Sequence, residues 1–323
     1  MKQQDFERRY SQQWQDLESF LAQKKQQQFD NILNQKIPAR YKNICYQLSL
    51  ARERQYSYHL IENLSQLASR LHSQIYKENS SFKLTFIDFI FKGFPNAVYE
   101  NRWYMVAGFV LFFLPLGLTA FACYLNSELV YSIYPAEQVR EFDNMYSPEN
   151  RILGRERGSA TDIEMFGFYI YNNIGIAFRT FATGMLAGLG SIFFLVYNGL
   201  AIGSIMGYMA DIGYHTTFFP FVIGHGSFEL TAIAISGAAG LRLGASILIP
   251  GSYSRLLAIR LAARSSIKLM YGAFIMLLIA AFLEAFWSSS TTVSNTMKYG
   301  VGAFLWLLVC MPILVLTFRK RER

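Results

Sequence analysis

The chain has 323 residues, 52% hydrophobic and 16% aromatic, with 30 Lys and Arg against 22 Asp and Glu for a net charge of +8. Cys45, Cys123 and Cys310 are too few and too scattered for a disulfide framework or a zinc spacing, and the N-terminus (Met1-Lys2-Gln3-Gln4-Asp5) lacks the apolar core of a cleaved signal peptide. The long apolar runs all follow Trp103, so the positive charge reads as a membrane-topology signal and excludes a nucleic-acid surface as its first explanation.

Residues 1–28 place Phe6, Tyr10, Trp14, Leu17 and Leu21 at steps of three and four, the apolar stripe of an amphipathic helix. A second helix is predicted to start at Pro38, a good first-turn residue, and to continue through Leu48, Leu60, Leu64, Leu67 and Leu71. Residues 1–80 are therefore expected to form a cytoplasmic helical hairpin, a packing domain whose polar outer face can dock a partner. Residues 81–103, with Phe82, Phe86, Phe89, Ile90 and Phe94 beside Lys83 and Lys92, read as an interfacial elbow on the inner membrane surface.

The expected fold class is all-α, a polytopic membrane protein with a transmembrane domain over 104–318. About 20 apolar residues cross a bilayer core of ~30 Å. Six spans are predicted: 104–125, 174–197, 199–211 (short), 218–249, 269–287 and 299–318. The segment 126–165 carries eight acidic residues against four arginines and has room for a small helix over 135–146. The segment 249–268 holds Arg255, Arg260, Arg264 and Lys268, with a second interfacial stretch over 252–266, and the tail 319–323 is basic. Positive-inside then places both termini and 249–268 in the cytoplasm of a bacterial inner membrane, and 126–165 outside.

Most of the 23 glycines fall between 166 and 251. Gly184 and Gly188, the ladder Gly199, Gly203 and Gly207, and the set Gly237, Gly240 and Gly244 are read as small-residue helix contacts, within one chain or across a homodimer. In the same region lie ionisable and amide side chains: His225 and Glu229 one turn apart, Arg242, Arg179, Asn172, Asn173 and Asn198. An ionisable residue inside a membrane marks a functional site by default. Three readings of His225 and Glu229 compete. They form a buried pair that fixes helix register, with Arg179, Asn172 or Asn198 as partners; or they carry protons or ions; or, with Asp211 and His215, they belong to a metal-dependent intramembrane hydrolase. The first is preferred, and no cofactor, nucleotide or metal motif is read.

The motif order is specific: Asn172-Asn173-Ile174, Gly184 to Gly190, Asn198-Gly199 at a helix junction, His225-Gly226 with Glu229, the run Gly237 to Gly244, and Pro250-Gly251. This series, over about 166–251, resembles the stage II sporulation protein M family of integral membrane proteins. The resemblance implies a membrane scaffold positioning peptidoglycan-remodelling enzymes, with stage II sporulation proteins D and P as partners of the namesake and a MoxR-type AAA ATPase as a common genomic neighbour of other relatives. The function read is a non-enzymatic scaffold or assembly factor in a cell-envelope complex, homo-oligomeric and in contact with lipid. The alternatives are a transporter or channel subunit, then the metal-dependent hydrolase.

Overall fold

A computed structural model describes residues 2–23, 37–75, 86–149, 162–290 and 292–318, and among them there is no strand. The chain divides into two units, Met1–Thr85 and Phe86–Arg323.

Among its described residues the first unit holds three helices: α1 (Gln3–Gln23), α2 (Ile37–Glu53) and α3 (Tyr58–Ile75). The predicted second helix is thus two. Gln55 takes φ 51, in the left-handed region that terminates a helix, and the Ser57 hydroxyl accepts from the Leu60 amide at 3.4 Å to start α3. Leucine spacing of three and four runs through this break because both helices turn their apolar faces to one core. Leu17, Leu21, Ile44, Leu67 and Leu71 form one end of that core, and Phe6, Ala51, Leu60 and Leu64 the other. Trp14 donates to the buried Gln47 at 2.7 Å.

The second unit opens with a π-turn (Phe89–Gly93) and α4 (Phe94–Glu100). Phe82 and Lys83 lie outside the described residues. Phe89 and Phe94 are packing residues: Phe89 meets Tyr271 edge-on at 4.8 Å, and the Phe94 ring lies against Gly272. There follow α5 (Arg102–Leu125), a 3₁₀ turn (Ser127–Ser132), α6 (Ala136–Tyr146), α7 (Asp162–Ala182), α8 (Leu189–Asp211), α9 (His215–Leu248), α10 (Arg255–Phe282) and α11 (Asn295–Phe318). Alpha-helix α10 passes directly into a π-turn, Leu283–Ser288.

Among the described residues, five stretches are long and apolar enough to cross a membrane: Arg102–Leu125, Leu189–Asp211, His215–Leu248, Arg255–Ser288 and Asn295–Phe318. The chain is an all-α polytopic membrane protein. Its helix boundaries correct several of the predicted ones. The expected span 174–197 does not exist as one helix, because the chain turns at 183–188, where Ala187 and Gly188 take φ 53 and 87. Its first half belongs to α7, which carries Asp162, Glu164 and Arg179 and is not among the five. Its second half joins the short span 199–211 to make α8, so Asn198-Gly199 is mid-helix and not a junction. The basic segment 249–268 is helical from Arg255 onward and continuous with the next span; no separate interfacial elbow forms there.

Contacts give the helix directions. Gly199, Gly203 and Gly207 of α8 face the carbonyls of Phe112, Leu116 and Ala120 of α5, four residues per step on both, so these helices run parallel. Parallel neighbours need a returning element between them, and α7 supplies it. Helix α9 is central: 78% of its apolar window is buried, against 17–39% for the other four. It is unbroken, and Gly237, Gly240 and Gly244 are not bends. They admit Leu195, Ser191 and the Gly188 backbone against its surface.

Candidate functional site

The polar residues picked from the sequence do not form one constellation. Arg242 sits near the end of α9 with its guanidinium 5.5 Å from the Tyr104 ring centre. Asn198 bonds its own helix, to the Phe194 carbonyl at 2.6 Å. Asn172 donates to Asn173 at 3.1 Å, and the amide nitrogen of Asn173, a residue 2% exposed, has no hydrogen-bond partner.

Arg179 does not meet His225 or Glu229. It is exposed and bonds the Gly175 carbonyl of its own helix at 3.1 Å. A span over 174–197 would set Arg179 near the depth of His225. In fact α7 begins at Asp162 and its end packs on Gly240, through the carbonyls of Thr180 and Phe181. From Gly240 back to Glu229 is eleven residues of helix, about 16 Å at 1.5 Å per residue. The helix partition, not the residue type, decided this pairing. Asp211 and His215 are likewise exposed at the ends of α8 and α9, fourteen and ten residues before His225 and outside its cluster.

His225 and Glu229 meet Glu284 instead. The three can offer ligand atoms that all lie within 4.8 Å of one another; His225 is buried and both carboxylates are half-buried. The ring Nδ1 of His225 lies 3.0 Å from the Ser288 hydroxyl, and the Phe221 ring stands edge-on to the imidazole at 5.3 Å. Lys298, 2% exposed near the start of α11, donates to the Ser288 carbonyl at 2.7 Å. Gly224 leaves room for the Trp287 ring, which a Cβ would approach to 3.0 Å. Glu284 and Ser288 are one turn apart on the π-turn that ends α10, so a single widened turn faces both the carboxylate and the imidazole. Such π-segments recur at functional sites.

Glu284 and Lys298 were missed from the sequence. The signal was present for Glu284, a lone carboxylate in an apolar run, the same signal that marked Glu229. Lys298 precedes the predicted last span by one residue and looked like its flank.

Beyond the cluster, α6 docks on the C-terminal end of α8 and the N-terminal end of α9. Val130 and Val139 pack with Tyr208, Met209 and Phe218, and Tyr146 meets Phe218 and Phe221 edge-on at 4.9 and 5.6 Å. Thr217 donates to the Tyr146 carbonyl at 2.6 Å, and Tyr208 donates to Asp143 at 3.2 Å. The other Asp143 oxygen is buried without a partner, and burial pushes this carboxyl up, partly offset by the Tyr208 hydroxyl. Burial also pushes Tyr134, at the foot of α6, up to about 12.

Comparison with known families places this geometry. The Stage II sporulation protein M family matches residues 105–289, a stretch that includes all three members of the cluster. A second family, Domain of unknown function (DUF8413), matches residues 4–77, nearly the bounds of the first unit. No curated protein matches, and no solved structure does. The match covers more than half the chain, so this chain belongs to the stage II sporulation protein M family.

Proposed function

We propose that this protein is a non-enzymatic scaffold or assembly factor of the bacterial inner membrane, serving a cell-envelope or peptidoglycan-remodelling complex. The observation that carries the reading is the backbone-to-backbone contact of α5 with α8 and of the 183–188 turn with α9, lying within the family-matched stretch. Helices in such contact have little freedom to slide, because packed interfaces hold discrete arrangements and do not deform continuously. A stiff body of this kind suits a platform. The first unit, with its polar outer face, is the surface assigned to a cytoplasmic partner such as an AAA ATPase; wall hydrolases belong to the opposite side. Homodimerisation is part of the proposal, through lipid-facing sides, since the main glycine ladder is occupied within the chain.

The charge bias supports cytoplasmic termini and an external 126–165 segment, with α7 as a sixth pass. A reporter fused after Arg323 is expected to read cytoplasmic, and one inserted near Asn150 external; the same side for both defeats the topology. Affinity capture in mild detergent followed by mass spectrometry tests the scaffold. Wall hydrolases or an AAA ATPase should co-purify with the wild type in stoichiometric amounts, whereas an isolated oligomer without such partners defeats the reading.

A second reading, a transporter or channel subunit, is favoured by the convergence of His225, Glu229 and Glu284. Glu229→Gln separates the two. A scaffold keeps its captured partners in the folded variant, because partner docking does not require this carboxylate to carry charge. A conducting site folds normally and loses its cellular function, since the amide cannot titrate.

A further inference from the structure

His225 and Glu229 lie one turn apart on α9, and Glu284 reaches them from the turn that ends α10. We propose that these three side chains bind a divalent transition-metal ion of the zinc class, clamping α9 to α10 near the outer end of the bundle. The site goes beyond the scaffold reading and does not depend on it.

The ligand set carries the first part of the argument. One imidazole and two carboxylates are a zinc donor set, with bonds of ~2.0–2.2 Å. Around a tetrahedral ion, ligand atoms sit ~3.4 Å apart, so atoms now within 4.8 Å of one another close on an ion by side-chain rotation of about an ångström. Two of the three donors are already fixed one helical turn apart, and the third comes from a neighbouring helix, so little backbone entropy remains to be lost on binding.

Orientation carries the second part. Metal-binding histidines give their other ring nitrogen to a fixed polar group, which sets the tautomer and aims the ring. Here the Ser288 hydroxyl stands 3.0 Å from Nδ1, placed to accept a hydrogen bond from that nitrogen in the tautomer whose Nε2 lone pair faces the ion. Ser288 is itself 0% exposed and its carbonyl is held by Lys298 at 2.7 Å, so the orienting hydroxyl sits on an anchored residue. The Phe221 ring, edge-on at 5.3 Å, closes the imidazole from above.

Charge carries the third. Two carboxylates this close repel one another, and a cation between them removes that repulsion. A divalent ion matches the charge of Glu229 and Glu284 together. The competing account lets Lys298 balance one carboxylate while the other keeps a proton; it needs no ion, and the experiment distinguishes the two.

The full chain is purified in mild detergent, stripped with a chelator, and dialysed against zinc chloride, with metal content read by elemental analysis. The expected result is about one tightly held zinc per chain, a higher melting temperature on zinc addition, and an absorption-edge spectrum showing only nitrogen and oxygen ligands. Glu284→Gln is expected to weaken zinc binding by about tenfold or more and to abolish the zinc-dependent rise in melting temperature. His225→Gln is the second variant, used where Glu284→Gln does not fold, with the same expectation. Wild type that takes up no zinc after stripping overturns the proposal in favour of the Lys298 account, whatever the variants do. Equal zinc affinity in wild type and either folded variant overturns it too, because the metal then sits elsewhere. Neither result bears on partner capture, so the scaffold reading stands or falls separately.

Discussion

In the first unit the contacts are made by the largest side chains available. Phe6, fully buried, touches the rings of Tyr10, Trp14 and Tyr56, and leucines of all three helices fill the remainder. In the membrane unit the tightest contacts occur where there is no side chain: Gly203 on the Leu116 carbonyl, Gly207 on the Ala120 carbonyl, Gly184 on Gly240. The outer surfaces differ in the opposite sense. Gln12, Gln13, Asp16 and Glu18 are exposed on α1, whereas Leu114, Leu118 and Phe121 are exposed on α5 and Phe304, Leu307 and Leu314 on α11. Against water, burying apolar area stabilises by roughly 25 cal/mol per Å², so large residues point inward. Against lipid that gain vanishes, large apolar residues turn outward, and small residues that allow close approach hold the helices together.

The comparison makes opposite substitutions damaging in the two units. The largest effect is expected from Phe6→Ala, which removes the central ring of the first unit at a cost of about 4 kcal/mol. Limited proteolysis of the full chain should then cut within 1–75 much faster while the membrane unit stays resistant. Unchanged cleavage there would mean the aromatic cluster is not what holds the unit. Next comes the reverse change, Gly203→Leu. A side chain there runs into the Leu116 carbonyl and the Thr119 hydroxyl, and overpacking of this kind costs about 3 kcal/mol. The detergent-solubilised melting temperature should fall; an unaltered one would show that α5 and α8 part freely and that small residues do not organise this unit.

The smallest effect is expected at the water-facing edge of the membrane unit, where both rules meet. Asp143 is held by Tyr208 yet keeps one buried oxygen without a partner, and burial raises its carboxyl. For an acid raised on folding, the native state binds the proton more tightly than the unfolded state. The penalty is absent below the unfolded value of ~3.9, grows as pH rises toward the higher folded value, and is complete above it. Asp143→Asn should therefore slow amide exchange of α6 at neutral pH and flatten its dependence on pH. Faster exchange in the variant would show that the ionised carboxylate itself holds α6 in place.

Much of the fold was legible because two periodicities do not depend on tertiary context. The stripe from Phe6 to Leu21 specifies an amphipathic helix, and the runs over 104–125 and 299–318 specify spans by length and apolarity alone, as α5 and α11 show. Pro135 before α6 was readable for the same reason, a local backbone constraint acting on one residue. The turn at 183–188 was not. Gly184 and Gly188 fit a small-residue helix face as well as a turn, and composition carries no sign of which φ a glycine adopts.

The candidate site divides along the same line. That His225 and Glu229 share a helix face is a property of four-residue spacing, fixed by the chain itself. That Glu284 completes the cluster, and Arg179 does not, was decided by which helices lie side by side and how far each is shifted along its neighbour. Sequence spacing fixes positions along one helix because the rise per residue is constant. It carries no offset between helices. That offset is set by where Gly199, Gly203, Gly240 and Gly244 let backbones touch, and it exists only once the bundle is assembled.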